Sequence, residues 1–330
     1  MNNKFYDITV IGGGPVGMFA AFYSGLRDAN VQLIESLDHL GGQVSALYPY
    51  KTILDVGGHP GIQGKDLVKS LKKQMHMMHP TIRLNQAVRD IIPVDGGYQI
   101  VTDQTKTYTK AIVIATGGGA FNPRKLRAKN AEKFKNKQLF YSVHNLDQFK
   151  NKTVLVAGGG NSAIDNALLL NKVAKKVYLL HRRDTFRGFE RMVDRVKQSS
   201  IELITPYLIR ELNSTDDGKL LVTAKKMRTE NDFRRIKVDD VVVNFGFVAT
   251  NQAMRKWSLK LKGLLRKVDV NQQMKTNENL VYAVGDVAKY KGKDTLIATG
   301  FGEVPIAVNS IMRALYPKRR LPIHSTMLKH

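Results

Sequence analysis

Two glycine-rich turns, each with charged residues downstream, are where this sequence could do chemistry. Gly12-x-Gly14-x-x-Gly17 follows an apolar run, Tyr6 to Ile11, and opens a helical stretch, Val16 to Leu26. In that setting glycines allow a tight turn and a close approach of the backbone to a pyrophosphate, whose charge sits on the helix N-terminus. A second apolar run, Val31 to Ile34, ends at Glu35. A carboxylate there accepts ribose hydroxyls and repels a 2′-phosphate, which selects FAD or NAD over NADP. The alternative is an ordinary glycine turn beside a surface glutamate.

The second turn, Gly158-x-Gly160-x-x-Ala163, lies between the strand Thr153 to Ala157 and a helical run Ala163 to Leu170. Its next strand, Val177 to Leu180, ends in His181-Arg182-Arg183, with Arg187 close behind and no carboxylate at the ribose-reading position. Guanidinium groups form bidentate, charge-assisted bonds to phosphate, so this half prefers NADP(H). A solvated basic surface is the alternative. Opposite ribose chemistry on one chain implies two dinucleotides, most simply a tightly held FAD that exchanges hydride with NADPH. The reacting atoms must then come within roughly 3 to 3.5 Å, and the protein supplies orientation while the cofactors supply the chemistry.

The elements that must position these residues are two βαβ units, so the fold class is α/β with two Rossmann-like, three-layer ββα dinucleotide-binding domains. Between the units, Thr81 to Leu84, Tyr98 to Thr102 and Ala111 to Ala115 read as strands; after the second come Leu203 to Thr205 and Val241 to Phe245. A strand Leu280 to Val284, a turn at Gly285-Asp286 and a helix Gly300 to Leu315 return the chain to the first domain. The expected boundaries are 1–117 and 247–316 for the FAD domain, 118–246 for the NADP domain, and 317–330 for an extension that Pro317 and Pro322 keep from continuing the helix.

The motifs resemble those of the thioredoxin reductases. Beyond the two turns, the resemblance rests on Ala115-Thr116-Gly117, on Thr276 through Leu280-Val-Tyr-Ala-Val-Gly-Asp286, and on His181-Arg-Arg-Asp-x-Phe-Arg187. Thioredoxin reductases carry a Cys-x-x-Cys before the second turn, where this chain reads Tyr141-Ser-Val-His-Asn145 and has no cysteine anywhere. The sequence is more similar to the bacterial ferredoxin (or flavodoxin)–NADP reductases on the same scaffold, through Glu35-Ser, Leu40-Gly-Gly-Gln-Val-Ser-Ala-Leu-Tyr-Pro49, Val243-Asn-Phe-Gly-Phe247, Leu296-Ile-Ala-x-Gly-Phe-Gly-Glu303 and His324-Ser-Thr326.

That resemblance implies a thioredoxin-reductase-like flavoprotein fold and a homodimer. It also implies that Tyr48 stacks on one flavin face while the extension sets His324 over the other, with Ser325 near the reactive nitrogen. Gly285 and Asp286 would hold the ribityl end, Gln43 and Asp55 the ribityl and ring edge, and Pro15, Val88, Phe121 and Thr326 would complete the FAD set. Asn161 and Ser162 would join the NADP set. Read without the family, Tyr48 is either a core plug or a flat face for another ring, and His324 is a titrating surface histidine; whether the tail covers its own flavin or a partner's stays open.

Composition narrows the acceptor. The 330 residues hold 52 Lys+Arg against 28 Asp+Glu, a formal charge of +24, and 43% are hydrophobic, enough for substantial cores. The absence of cysteine excludes disulfides, cysteine-ligated metal and a dithiol relay. No run approaches the roughly 18 apolar residues of a membrane span and the start does not read as a signal peptide, so a cytoplasmic protein is expected. His76-x-x-His79 has helical spacing for a metal but Pro80 follows and no third ligand is near, so no metal is expected. Arg124 to Lys137 holds seven basic residues and one acid, and Arg255 to Lys267 six and none. Such stripes steer acidic partners, which fits ferredoxin or flavodoxin. A quinone reductase or an oxidase would share every site, and a basic nucleotide-sensing protein that binds nucleic acid is a different class without a recognised motif here.

Overall fold

Strand alternation in the first βαβ unit separates two apolar faces, and each face is covered by a different layer. The computed structural model describes residues 4–263 and 267–319, with the backbone alone at 120–122, 248–250 and 252. The chain begins β1 (Phe5–Ile11), α1 (Pro15–Leu26), β2 (Val31–Ile34) and α2 (Gly42–Leu47). A short pair, β3 (Thr52–Ile53) and β4 (Ile62–Gln63), leads into α3 (Gly64–His76) and β5 (Thr81–Arg83). Then come β6 (Val88–Val94), β7 (Gly97–Thr102) and β8 (Lys106–Ile114).

β8 joins parallel and antiparallel strands within one seven-stranded sheet. Its first half runs antiparallel to β7, with Tyr98 opposite Thr109, while its second half runs parallel to β1 and to β20 (Val281–Ala283), with Ile112 opposite Thr9 and Val281. Ile11, Ile34, Ile112, Ile114 and Val281 join Val88, Ile91, Tyr98 and Ile100 in one apolar cluster, so the β6–β7–β8 meander covers one face of the parallel strands. The alternate residues Val10, Leu33 and Val113 are fully buried on the other face. There the Tyr282 hydroxyl meets Ser310 Oγ at 3.0 Å on α8 (Ile297–Leu315), which packs beside α1.

The second unit repeats this layering. The chain crosses along β9 (Ala120–Pro123) and passes α4 (Ala131–Phe134), β10 (Leu139–Phe140), β11 (Thr153–Ala157), α5 (Asn161–Leu170), β12 (Lys176–Leu180), α6 (Glu190–Lys197) and β13 (Glu202–Ile204). An antiparallel sheet of β14 (Tyr207–Ser214), β15 (Leu220–Lys226) and β16 (Phe233–Val238) follows, then β17 (Asp240–Val243) and the return along β18 (Phe247–Thr250), which pairs with β9. The parallel order is β10-β17-β11-β12-β13. Leu155 and Ala157 point into a cluster with Leu212, Val222 and Ile236 of the antiparallel sheet, and Val154 and Val156 into one with Ala163, Ala167 and Val196 of the helices.

By its contacts the chain divides into residues 1–46, 50–121 and 249–330, and residues 47–49 and 122–248. β8 is longer than the apolar run Ala111 to Ala115 because its polar first half belongs to the meander. α8 begins at Ile297, ahead of Gly300. The β14–β16 sheet is the second β layer expected of a three-layer ββα domain, but the sequence reading placed none of its strands: they mix apolar residues with Lys, Arg and Glu, a weaker signal than the continuous apolar runs of the parallel strands. Among the described residues no helix is long and apolar enough to cross a membrane, and no group of three or more His, Asp or Glu could hold a metal ion. His76 ends α3 with Nδ1 on Lys72 O at 2.7 Å, and His79 lies past the helix at φ 48°, so the pair does not share a helical face.

Candidate nucleotide sites

The first glycine turn is made of contacts that only glycine permits. A Cβ on Gly17 would stand 1.8 Å from Gly12 O, and one on Gly12, at φ +106°, would stand 2.5 Å from Ala115 O. Strand β1, the α1 N-terminus and the Ala115-Thr116-Gly117 segment are thereby drawn together. A Cβ on Gly14 would meet nothing within 4 Å. Space is therefore left open above the first turn of α1, where backbone N–H groups have no helical acceptor, as a pyrophosphate requires. Buried Glu35 accepts the Gly13 N–H on Oε2 at 2.7 Å, and the Ser36 hydroxyl at 3.0 Å and the Leu37 N–H at 2.9 Å on Oε1. It braces the turn as well as presenting a carboxylate beside it. Gly41 donates its N–H to Gly13 O at 2.8 Å, which seats α2 over the turn and brings Gln43 beside Gly117.

A third segment closes this edge. β20 ends in a 3-10 turn, Gly285–Val287, that carries half-buried Asp286. A Cβ on Gly300 of α8 would lie 2.4 Å from Val16 Cγ2 and 3.3 Å from Gly285 Cα, so the starts of α1 and α8 and the Gly285 turn meet. Gly285 donates its N–H to Glu303 Oε2 at 2.7 Å; Oε1 takes the Tyr290 hydroxyl at 2.7 Å and the Lys293 ammonium. Burial, then the bond to Glu303, pushes the Tyr290 hydroxyl up to about 12. Gly14, Glu35, Thr116, Gln43 and Asp286 are all gathered by segments at the carboxyl ends of parallel strands, which is where α/β folds bind nucleotides.

The second turn is built alike, with a different charge. A Cβ on Gly158 would lie 2.5 Å from Asn244 O and 2.8 Å from the Ala163 Cβ, whereas one on Gly160 would meet nothing within 4 Å. Arg187 donates its N–H to Gly159 O at 2.7 Å, and the Phe189 N–H goes to Asn161 Oδ1 at 2.9 Å, which ties the arginine segment to the turn and to the first residue of α5. Arg182, Arg183 and Arg187 are exposed, and among the described residues no carboxylate pairs with them. The His181 ring is buried against Gly159 and stacks on Phe186 at 5.4 Å. Burial, then the charges of Arg182, Arg183 and Arg187, hold its pKa below the ordinary value. The donor set fits a 2′-phosphate.

Comparison with known proteins agrees with this geometry. The sequence profile of the family described as "Pyridine nucleotide-disulphide oxidoreductase" matches residues 6–312. The chain belongs to that family. The "Ferredoxin--NADP reductase" of Lactiplantibacillus plantarum is 51% identical over 322 residues, 97% of each chain. The "Ferredoxin--NADP reductase 2" of Latilactobacillus sakei is 49% identical over 99% of this chain and 98% of its own. The crystal structure of Lactococcus lactis thioredoxin reductase superposes with a TM-score of 0.74 at 26% identity, covering 93% of this chain and 98% of that one. The fold is thus that of the thioredoxin reductases.

Within this member of the pyridine nucleotide-disulphide oxidoreductase family, the remaining expected residues are placed as follows. Pro15 is the first residue of α1 and Ser162 is exposed at the start of α5. Tyr48 is half-buried just past α2, and Asp55 is exposed on the β3–β4 hairpin. Val88 has its side chain in the meander core and its carbonyl accepts Trp257 Nε1 at 3.4 Å. Phe121 is on β9, described by its backbone alone. His324, Ser325 and Thr326 lie outside the described residues. Glu303, Lys293 and Tyr290 were not singled out as a site. Their one visible signal is a lone Glu in an otherwise uncharged helical run, Gly300 to Ser310.

Proposed function

We propose that this chain is an FAD-dependent reductase that takes hydride from NADPH and passes electrons singly to ferredoxin or flavodoxin, or runs in reverse. The observation that carries the reading is the opposition of two ribose environments in a chain without cysteine: buried Glu35 beside one glycine turn, three exposed guanidinium groups beside the other. The names of the relatives support it. Bound FAD would accept one hydride from NADPH and release its two electrons one at a time.

The residues of the chain bind and orient. Gly12, Gly14, Pro15, Gly17 and Glu35 would hold the pyrophosphate and adenosine of FAD, with Gln43, Asp55, Asp286 and the backbone of Val88 and Phe121 around the rest. Gly158, Gly160, Asn161, Ser162, Ala163, Arg182, Arg183 and Arg187 would hold NADP(H). Tyr48 on one ring face, and His324, Ser325 and Thr326 on the other, would shield the ring from water, and no side chain need act as acid or base. Such an enzyme would work in the cytoplasm with its carriers.

We further read it as a homodimer. α8 spans 19 residues, about 28 Å. Its start adjoins Gly285, while its far end is pinned near the amino end of β1: Tyr316 bonds Asp7, Lys110 Nζ reaches Asp7 at 2.8 Å and Tyr316 at 3.0 Å, and Arg319 pairs with Asp28 at 3.5 Å. An apolar face supports a dimer: Phe19 packs on Phe301 with ring centroids 5.1 Å apart, flanked by Phe22, Tyr23 and Ile306, which is 46% exposed.

The test is to purify the protein, record its visible spectrum, and compare NADPH-driven reduction of ferredoxin, flavodoxin, quinone and oxygen. A yellow protein fastest with the protein carriers is expected; preference for quinone or oxygen would transfer the reading to those acceptors. Light scattering on the purified protein tests the dimer, and a monomeric mass at working concentrations would remove it.

A further inference from the structure

The outward side of α3 carries a row of lysines that no carboxylate among the described residues neutralises. Lys65, Lys69 and Lys73 repeat at i, i+4 spacing, all exposed, opposite the buried Leu67, Val68, Leu71 and Met75; Lys72 lies beside them and Asp66 is the one acid of the helix. Among the described residues none of the three pairs with a carboxylate, whereas Lys129, Lys152, Lys176 and Lys237 each do. Like charges four apart weaken a helix, and Lys65 stands in the first turn, where the helix dipole also disfavours a cation. Lys73, in the last turn, is favoured by the dipole, and Lys65 gains only a ring contact, so the mutual repulsion of the row has no ionic answer among the described residues.

An apolar tip stands at the head of this row. The β3–β4 hairpin runs directly into α3 and raises Leu54, 80% exposed, over Gly61, where a Cβ would lie 4.0 Å from Leu54 Cδ2. Lys65 lies over the Tyr50 ring at 5.0 Å on the same approach. The inner side of α3 supports the first site: Val68 Cγ1 is 2.9 Å from where a Gly41 Cβ would stand, and Gly41 bonds the Gly13 carbonyl. The lysine row is thus one helix width, about 10 Å, from the segment over the first glycine turn.

We propose that the Lys65–Lys69–Lys73 row with Leu54 is the docking surface for an acidic electron-carrier protein. This rests on the reductase reading above. Cations around an apolar tip match the polar rim and apolar centre of a protein interface, and complementary charge sets the encounter rate and its salt dependence. A nucleic acid would have no use for Leu54, and the row, about 12 Å from first to last lysine, is short for a backbone track.

The test uses the full-length FAD-loaded protein and a purified acidic flavodoxin, with dissociation constants measured by titration over a range of salt. Lys65→Glu/Lys69→Glu/Lys73→Glu should raise the dissociation constant roughly 10- to 100-fold at low salt and flatten its salt dependence. The Lys→Gln triple variant should do so more mildly, while NADPH-driven ferricyanide reduction stays as in wild type. Leu54→Ser should weaken binding at every salt concentration equally. The proposal is overturned if folded triple variants bind flavodoxin within twofold of wild type. It also falls if the second-unit control, Lys133→Glu/Lys135→Glu/Lys137→Glu, weakens binding as much, or if the α3 variants lose only binding to a tRNA probe. Wild-type protein that holds FAD and turns over NADPH but neither binds nor reduces a protein carrier would instead sink the reductase reading itself.

Discussion

Glu303 on α8 accepts the backbone N–H of Gly285 at 2.7 Å, so a buried carboxylate holds the turn that carries Asp286. The same carboxylate pairs with Lys293, and the two side chains are 3% and 4% exposed. Removing one member of a buried pair leaves an uncompensated charge, which costs about 3–5 kcal/mol. Glu303→Ala should lose that much in chemical denaturation of the apoprotein and release FAD more readily. Glu303→Gln, which can still accept from Gly285, should retain FAD better than Glu303→Ala at similar stability. A loss below about 1 kcal/mol in Glu303→Ala would place the pair with ordinary surface ion pairs.

The glycines of the first turn divide into two kinds. Gly17→Ala drives a methyl to 1.8 Å from Gly12 O and should prevent folding of the first unit. Gly14→Ala meets nothing within 4 Å, so the apoprotein should melt within a few degrees of wild type while its affinity for FAD falls at least tenfold. Gly159→Ala and Gly160→Ala should divide the same way, the first clashing with the His181 ring at 2.3 Å and the second obstructing only NADPH. Thermal melts with and without cofactor decide this, and unchanged FAD affinity in Gly14→Ala would remove the pyrophosphate from that turn.

Each charge-assisted bond to a phosphate contributes about 1.5–3 kcal/mol. Arg182→Ala and Arg183→Ala should therefore raise the NADPH Michaelis constant roughly 10- to 100-fold each, with the NADH value changed less than threefold. Equal effects on both coenzymes would remove the phosphate assignment.

His181 should make stability fall with acid. Burial and the three neighbouring arginines hold its folded pKa below the ordinary 6.5. The unfolded chain thus binds the proton first, and the stabilisation, complete above pH 6.5, is lost as pH falls through the folded value. Denaturation midpoints between pH 7.5 and 5 should show this slope, and His181→Phe, which keeps a ring on Phe186, should lack it whatever its absolute stability. Saturating NADP+ should reduce the slope in wild type, since a phosphate dianion offsets the arginines, whereas NAD+ should not. An undiminished slope in His181→Phe would assign it elsewhere.

Both glycine turns and the charged residues beside them were legible in the sequence, because strand, turn, helix and following strand lie within one local βαβ unit whose geometry short-range spacing dictates. Glu35 and Arg182 stand at the ends of strands for that reason, and the lack of cysteine is pure composition. Tertiary structure alone decided what depends on sheet order. It set β8 between parallel and antiparallel neighbours of one sheet, laid the β14–β16 sheet over β11 and β12, and pressed His181 beneath Gly159. It joined Lys293 and Glu303 under the Gly285 turn and fastened the far end of α8 to Asp7, at the end of β1 away from the glycine turn. It also turned an unremarkable run, Lys65 to Lys73, into an outward row with no carboxylate among the described residues to answer it. Such partners are distant in the chain and carry no mutual spacing, so only the burial of apolar faces, which stacks the layers, brings them together.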